Sequence, residues 1–306
     1  MESHLIAREE IGNDDAAQDL YGLGVRLGFY LQGLAMILYL YGDEENYGKG
    51  LKIASGSITV SILASWFCYA VEQAFSPSEA IVVLMMVMCL AFPAKYTLCN
   101  PRTIMGETIG VLAVLLTELG TCAALLWTFG TLVHSLPRLG TPNVVFFFAR
   151  VSLTGWVRYL ALVYLTIDAI TSLMVASRMV RVLMIAWTAY AAGRTEPSPV
   201  ELDEISATIK WKSEEFFLTI QVWVVWVFTI VTVEVTLYWN HLTPVMDLRS
   251  PGQLIPFVTG LILLIDSLSV VSRAYLPRYA RAWKLPGVMA QLKEKPQLED
   301  ESEVTV

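Results

Sequence analysis

The stretch 215–240, EFFLTIQVWVVWVFTIVTVEVTLYWN, determines the class of this protein. It contains no lysine or arginine and is longer than the roughly 20 apolar residues that a helix needs to cross a bilayer. Trp223, Trp226, Glu234 and Tyr238 recur at helical spacing, so one face carries aromatic rings that lead to a carboxyl group. An acid within such a span is costly to insert and indicates a functional or paired group.

The composition of the whole chain agrees with this stretch. Of 306 residues, 55% are hydrophobic and 16% are charged, whereas soluble domains carry about 25% charged residues. The mean hydropathy is +0.55. The net charge of -7 argues against a nucleic-acid partner, which requires a clustered basic surface. The composition therefore predicts an all-α, polytopic membrane protein whose partner is the lipid bilayer.

Seven stretches are long and apolar enough to be transmembrane helices: about 20–41, 51–73, 79–98, 105–134, 156–177, 215–240 and 252–273. They leave an acidic tail at 1–19 and a charged tail at 274–306. The fifth span has two interpretations, one long helix or a span followed by an interfacial helix, because its apolar pattern starts near Val144 and resumes after Arg181. The capping box Ser198-Pro199-Val200-Glu201 predicts a short cytoplasmic helix.

The orientation follows from the distribution of lysine and arginine. With the N-terminus outside, fifteen of these residues lie on the cytoplasmic side, six of them from Arg273 to Lys295, and four lie on the other side. We therefore expect a lumenal or external N-terminus and a cytosolic C-terminus. The expected location is the endoplasmic reticulum.

The sequence lacks the signatures of several classes of membrane protein. The last span, 252–273, has no lysine for a retinal Schiff base, and the third ends Lys95-Tyr96-Thr97-Leu98 without a receptor motif. Asp14 and Asp15 lack the spacing of a magnesium-diphosphate site, and the three histidines are scattered. We therefore expect no metal and no cofactor. The four cysteines show no metal or disulfide spacing and are interpreted as packing residues.

The informative residues are the ionisable or strongly polar groups inside the predicted spans, since each costs about 2.5 to 3.5 kcal/mol to insert. They are Arg26 and Gln32 in the first span, Glu72 in the second, Glu118 in the fourth, Asp168 in the fifth, Glu234 in the sixth and Asp266 in the seventh. One interpretation is structural, with Arg26 paired to Glu72 or Glu234. Glu118 and Asp168 have no cation within a turn, and burial favours the neutral form of a carboxyl group.

Two functions fit such an interior. The first is an enzyme in which a neutral carboxylic acid protonates an epoxide or alkene of a lipophilic prenyl substrate. Its candidate catalytic residues are Glu118, Asp168 and Glu234, and its candidate substrate-binding residues are Arg26, Gln32, Tyr164, Trp226, Tyr238 and Asp266. Aromatic faces would stabilise the cation that forms. The second is an ion channel or proton-coupled transporter that uses the same carboxylates. A sensor or scaffold is a third class, but the chain has no large soluble module.

Two segments carry a resemblance to known proteins: YGLGVRLGFYLQ at 21–32 and SPGQLIPFVTG at 250–260. They resemble a group of multispan membrane proteins of filamentous fungi. With its size, spans and buried acids, the chain also resembles the fungal integral-membrane terpene cyclases of meroterpenoid pathways, of the ascochlorin type. The resemblance implies protonation-initiated cyclisation of an epoxidised farnesyl chain attached to an aromatic or polyketide head. It assigns no residue of this sequence to catalysis.

Overall fold

The apolar stretches form long helices in the computed structural model, which describes residues 12–40, 49–97, 108–191, 215–242, 248 and 250–282. In chain order the elements are α1 (Asp14–Asp19), α2 (Leu23–Tyr39), α3 (Lys49–Glu72), α4 (Pro77–Thr97), α5 (Thr108–Trp127), α6 (Val133–Ser135), β1 (Val144–Phe146), β2 (Arg150–Ser152), α7 (Trp156–Ala191), α8 (Glu215–Trp239) and α9 (Pro251–Ala282). A π-helical turn, Thr128–Leu132, joins α5 to α6. The protein is mostly helical, as the sequence predicts.

The seven long helices α2–α5 and α7–α9 fall on the seven predicted stretches. Within the described residues, five segments are long and apolar enough to cross a membrane: Pro77–Ala94, Gly110–Ser135, Trp156–Ile185, Ile220–Trp239 and Pro251–Arg273. α2 is a shorter apolar helix. These helices indicate an integral membrane protein. The predicted helix after Ser198 lies outside the described residues, whereas the end of the predicted acidic tail forms α1.

The stretch predicted as the fifth span belongs to one continuous helix of 36 residues, α7. The apolar residues near Val144 do not extend it, because they form an antiparallel hairpin in which Val144 pairs with Ser152 and Phe146 with Arg150. β-Branched and aromatic residues in a short run favour a strand. The strict all-α prediction missed this hairpin, although the rest of the described chain is helical or in turns.

The first and last long helices, α2 and α9, form the most extensive helix pair. A Cβ atom at Gly28 would lie 2.5 Å from the backbone of Pro256, and one at Gly260 would lie 2.7 Å from the carbonyl oxygen of Gly28. Only glycine permits this approach of the two backbones. The Gly24-x-x-x-Gly28 spacing is therefore a packing motif. The two segments that carry the resemblance lie against each other.

Gln253 of α9 also closes the N-terminus of α2. Its Oε1 accepts hydrogen bonds from the backbone nitrogens of Gly24, at 2.8 Å, and Val25, at 3.3 Å. The first turn of a helix has no intrahelical acceptors for its N–H groups, so this buried amide supplies the missing acceptor. One side chain thus fixes the register of α2 against α9.

α4 is the most enclosed of the helices that carry these five segments, and α7 is the least enclosed. The N-terminus of α4 is a capping box, Ser76-Pro77-Ser78-Glu79. Glu79 Oε2 accepts from the Ser76 nitrogen at 2.7 Å, while Oε1 accepts from the Tyr21 hydroxyl at 2.6 Å and the Asn13 nitrogen at 2.8 Å. This carboxylate therefore ties α1 and the start of α2 to α4.

Candidate functional site

Two of the three predicted catalytic acids meet where α5 packs against α7. Glu118 and Cys122 lie one turn apart on α5, and Asp168 and Ser172 lie one turn apart on α7. The Ser172 hydroxyl donates to Glu118 Oε1 at 2.6 Å, and Cys122 Sγ donates to Asp168 Oδ2 at 3.6 Å. Ligand atoms of Glu118, Cys122 and Asp168 all lie within 4.8 Å of one another. We call these four residues the carboxyl cluster.

The carboxyl cluster lies in apolar surroundings. Glu118 is 9% exposed and Ser172 is 1% exposed, while Asp168 is half-buried. Carboxyl groups of two helices that lie this close together are an arrangement found in sites of general acid–base catalysis. Two carboxylate oxygens and a thiolate are also possible ligands of a divalent cation, which gives the cluster an alternative chemistry.

The third predicted acid, Glu234 of α8, is engaged in an ion pair. Its two carboxylate oxygens accept from the guanidinium of Arg26 on α2, and Oε1 also accepts from the Tyr30 hydroxyl at 2.8 Å. The Arg26 side chain is 4% exposed and that of Glu234 is 46% exposed. Of the two pairings that the sequence left open for Arg26, the structure contains the one with Glu234. Glu72 is exposed at the end of α3.

Trp226 and Gln32 make further contacts of α2, the first with α8 and the second with α9. Gln32 is fully buried, its Nε2 donates to the Pro256 carbonyl at 3.5 Å, and its Oε1 has no hydrogen-bond partner among the described residues. Trp226 Nε1 donates to the Tyr30 carbonyl at 3.3 Å, and its ring lies against Gly33. The α2–α8 interface therefore contains Arg26, Trp226 and Glu234, whereas Gln32 lies where α2 meets α9. Both places are separate from the carboxyl cluster, which lies between α5 and α7.

The remaining candidate substrate-binding residues lie closer to the surface of the described bundle. Asp266 of α9 accepts from the Tyr39 hydroxyl in an exposed pair. Tyr164 is 59% exposed and Tyr238 is 78% exposed, so both lie on the outer surface of the described bundle. The predicted aromatic stripe of α8 thus runs from the interior, at Trp226, to the surface, at Tyr238.

The aromatic rings of the described residues gather in two other places. Trp66, Phe67, Phe75 and Trp127 pack together between α3 and α5, with Trp66 and Trp127 centroids 6.1 Å apart. The other group joins the hairpin to α8 through Phe146, Phe148, Phe228 and Trp239. In the sequence, the run of three phenylalanines at 146–148 was the feature that could have indicated this second aromatic group.

Arg158 of α7 is a polar contact that sequence reasoning missed. Its guanidinium donates to the carbonyls of Phe129, at 2.5 Å, and Gly130, at 2.6 Å, and also contacts His134. A π-helical turn leaves backbone carbonyls without their usual partners, and the arginine supplies donors there. No spacing rule connects Arg158 to Gly130, because the contact depends on how α7 packs.

A small cavity lies between α2, α3, α4 and α5. Its volume is about 10 Å³, room for one water molecule, and its lining includes Ser55, Gly56, Thr59 and Thr117. The hydroxyls of Ser55 and Thr117 are buried and have no hydrogen-bond partner among the described residues. The cavity is thus polar on two sides but too small for an organic substrate.

The chain was compared with models of known protein families, with curated proteins and with solved structures, and none of the three comparisons gives a match.

Proposed function

We propose that this chain is a membrane-bound terpene cyclase, in which the Glu118–Asp168 pair protonates an epoxide or alkene of a prenyl chain. The observation that carries the proposal is the meeting of these two carboxyl groups within 4.8 Å in apolar surroundings. A pair that holds one proton is a general acid, and after ring closure the same pair accepts the proton that the product cation releases. The reaction is an isomerisation that requires no cofactor.

The surroundings of the pair support an apolar substrate that arrives from the bilayer. Leu112 and Leu116 on α5 are 51% and 60% exposed, and Tyr164 and Ile167 on α7 are each 59% exposed. The cavity between α2 and α5 is too small for a prenyl chain. The substrate would therefore reach the pair laterally along α5 and α7, with the Tyr164 ring beside the developing cation.

The α2–α8 interface has a supporting role in this proposal. Glu234, bound to Arg26 and Tyr30, is an ion pair rather than a free acid. Arg26, Gln32 and Trp226 would contact the polar head of the substrate, and Tyr238 and Asp266 would lie along its outer path. Loss of this interface should weaken substrate binding, whereas loss of the carboxyl cluster should abolish turnover.

The decisive experiment expresses the chain in a fungal host and feeds it phenols that carry an epoxidised prenyl chain. Mass spectrometry should find a product of unchanged mass and altered retention. Glu118→Gln and Asp168→Asn should each reduce its formation by roughly 100-fold or more. Glu72→Gln, which changes an exposed carboxylate of α3, is the matched control and should retain activity.

Two outcomes contradict the cyclase. Full activity of both cluster variants, in protein shown to be inserted, would exclude the acid mechanism. Absence of any isomer, together with proton flux in liposomes that requires Glu118, would instead assign the cluster to a proton-coupled transporter.

The proposal extends to the topology: seven spans, a lumenal N-terminus, a cytosolic C-terminus and residence in the endoplasmic reticulum of a fungus. The number of spans is supported by the overlap of seven long helices with the seven predicted stretches, and the orientation by the lysine and arginine distribution. Glycosylation acceptor sites inserted after Pro142 and at the C-terminus test it. The first should be glycosylated and the second should not, and the reverse pattern would invert the topology.

A further inference from the structure

The hairpin of β1 and β2 lies along the membrane-crossing helix α8. Asn240 Oδ1 accepts from the Val144 nitrogen at 3.1 Å, and Asn240 Nδ2 donates to the Val144 carbonyl at 2.6 Å. Thr236 Oγ1 accepts from the Phe146 nitrogen at 3.1 Å. Because Thr236 and Asn240 lie one turn apart on α8, β1 runs along the helix from its C-terminal end toward its middle.

The aromatic contacts show how far the tip of the hairpin extends along α8. The ring of Phe146 contacts both Trp239, at 5.8 Å, and Phe228, at 6.2 Å, while the ring of Phe148 lies 5.2 Å from that of Phe228. Phe228 precedes Trp239 by eleven residues, a rise of about 16 Å along the helix. It lies near the centre of the segment Ile220–Trp239, which is long and apolar enough to cross a membrane. The hairpin tip is therefore level with the inner part of this span.

The hairpin tip is apolar and is exposed on the surface of the described residues. Phe148 is 78% exposed, and Trp156 of α7, whose ring packs against that of Phe147, is 63% exposed. A strand edge in hydrocarbon is tolerated only where its backbone groups have partners. Here β2 covers one edge of β1, and Asn240 and Thr236 cover groups on the other. Both edges of β1 are therefore covered, and β1 is the strand that lies along α8.

We propose that this hairpin is a re-entrant element whose tip, Phe147 and Phe148, contacts the acyl chains of the lipid leaflet nearest to the C-terminus of α8. Asn240 and Thr236 hold it there by replacing the hydrogen bonds that water would make to β1. Arg150 is exposed next to the tip, and its long side chain reaches toward the headgroup phosphates. This inference does not depend on the cyclase activity.

The test replaces Phe148 by the photoreactive phenylalanine analogue p-benzoylphenylalanine in protein reconstituted into phosphatidylcholine nanodiscs. Irradiation should give lipid adducts, quantified by mass spectrometry, at a yield within about twofold of that for the same analogue at Val163, which is 61% exposed on α7. The analogue at Arg138, an exposed residue in the loop before the hairpin, is the aqueous control. A yield at position 148 equal to that at position 138 would overturn the proposal.

A second variant tests the role of α8. Asn240→Ala removes both hydrogen bonds to Val144, so the hairpin should leave the hydrocarbon and the lipid-adduct yield at position 148 should fall several-fold. Ser177→Ala, which removes an exposed hydroxyl of α7, is the control and should leave the yield unchanged. An unchanged yield in folded Asn240→Ala protein would show that α8 does not position the hairpin. If this variant does not fold, the measurement at position 148 in the native chain still decides the proposal.

Discussion

At the scale of single residues, the packing of α5 against α7 brings the side chains of Glu118 and Asp168 together in the carboxyl cluster. Glu118 receives a hydrogen bond from Ser172, and Asp168 receives one from Cys122, so each acid is held by a neighbour of the other. Groups that share a proton act together, and their removal is not additive.

The first prediction follows from this coupling. Glu118→Gln and Asp168→Asn should each reduce cyclisation, and the double variant should be no slower than the more damaged single one. Product formation from the epoxide substrate measures all three. Rate losses that multiply in the double variant would show that the two acids act independently.

The chemistry of the cluster also predicts the effect of metal removal. Because a carboxyl pair needs no cation to donate a proton, cyclisation should survive dialysis of the purified protein against EDTA. Loss of activity that zinc restores would instead make Glu118, Cys122 and Asp168 metal ligands.

The Arg26–Glu234 pair gives a prediction about stability. Glu234→Ala leaves the buried guanidinium of Arg26 without its partner, and removing one member of a buried pair costs about 3–5 kcal/mol. The half-exposed position of Glu234 should reduce this cost. Thermal unfolding in nanodiscs should therefore show a lower midpoint for Glu234→Ala than for Arg26→Met combined with Glu234→Leu. An equal midpoint would mean that a buried Arg26 without its partner costs no more stability than removal of both charges.

At the scale of elements, glycine positions decide which helices approach most closely. Gly28→Ala should destabilise the protein by about 1–3 kcal/mol, because its Cβ would lie 2.5 Å from the Pro256 backbone, which cannot rotate away. Gly252→Ala on α9 is the matched control, since nothing lies within 4 Å of its Cβ. Thermal unfolding of both variants measures the effect, and equal midpoints would contradict the close α2–α9 packing.

The elements also show how much the sequence predicts. Apolar runs located the seven long helices, because a bilayer requires a minimum span length that appears in the hydropathy. Two helices continue past their predicted ends: α7 runs to Ala191 rather than 177, and α9 runs to Ala282 rather than 273. The hairpin at 144–152 was missed because a strand of three residues gives almost no periodic signal. The sequence could not predict the contact between Glu118 and Asp168. Periodicity shows which residues share a face of a helix, but it does not show which other helix that face contacts. The capping box at Ser76 was readable from its Ser-Pro-x-Glu pattern and was overlooked.

At the scale of the whole molecule, α2 and α9 close the bundle, since the first long helix in the chain packs most extensively on the last. The chain 1–242 lacks α9, so Gly24 and Val25 lose the acceptor that Gln253 supplies, and the glycine face of α2 loses its cover. This chain should be cleaved by trypsin within the bundle and should unfold at a lower temperature. Co-expression of the segment 243–306 should restore both properties, because all the contacts between α2 and α9 remain available to a separate helix that inserts beside α2. The segment carrying Gln253→Ala should restore them less well, which separates the amide contact from simple coverage of the glycine face. Equal protease resistance of 1–242 and the full chain would show that the other helices form a stable bundle without α9.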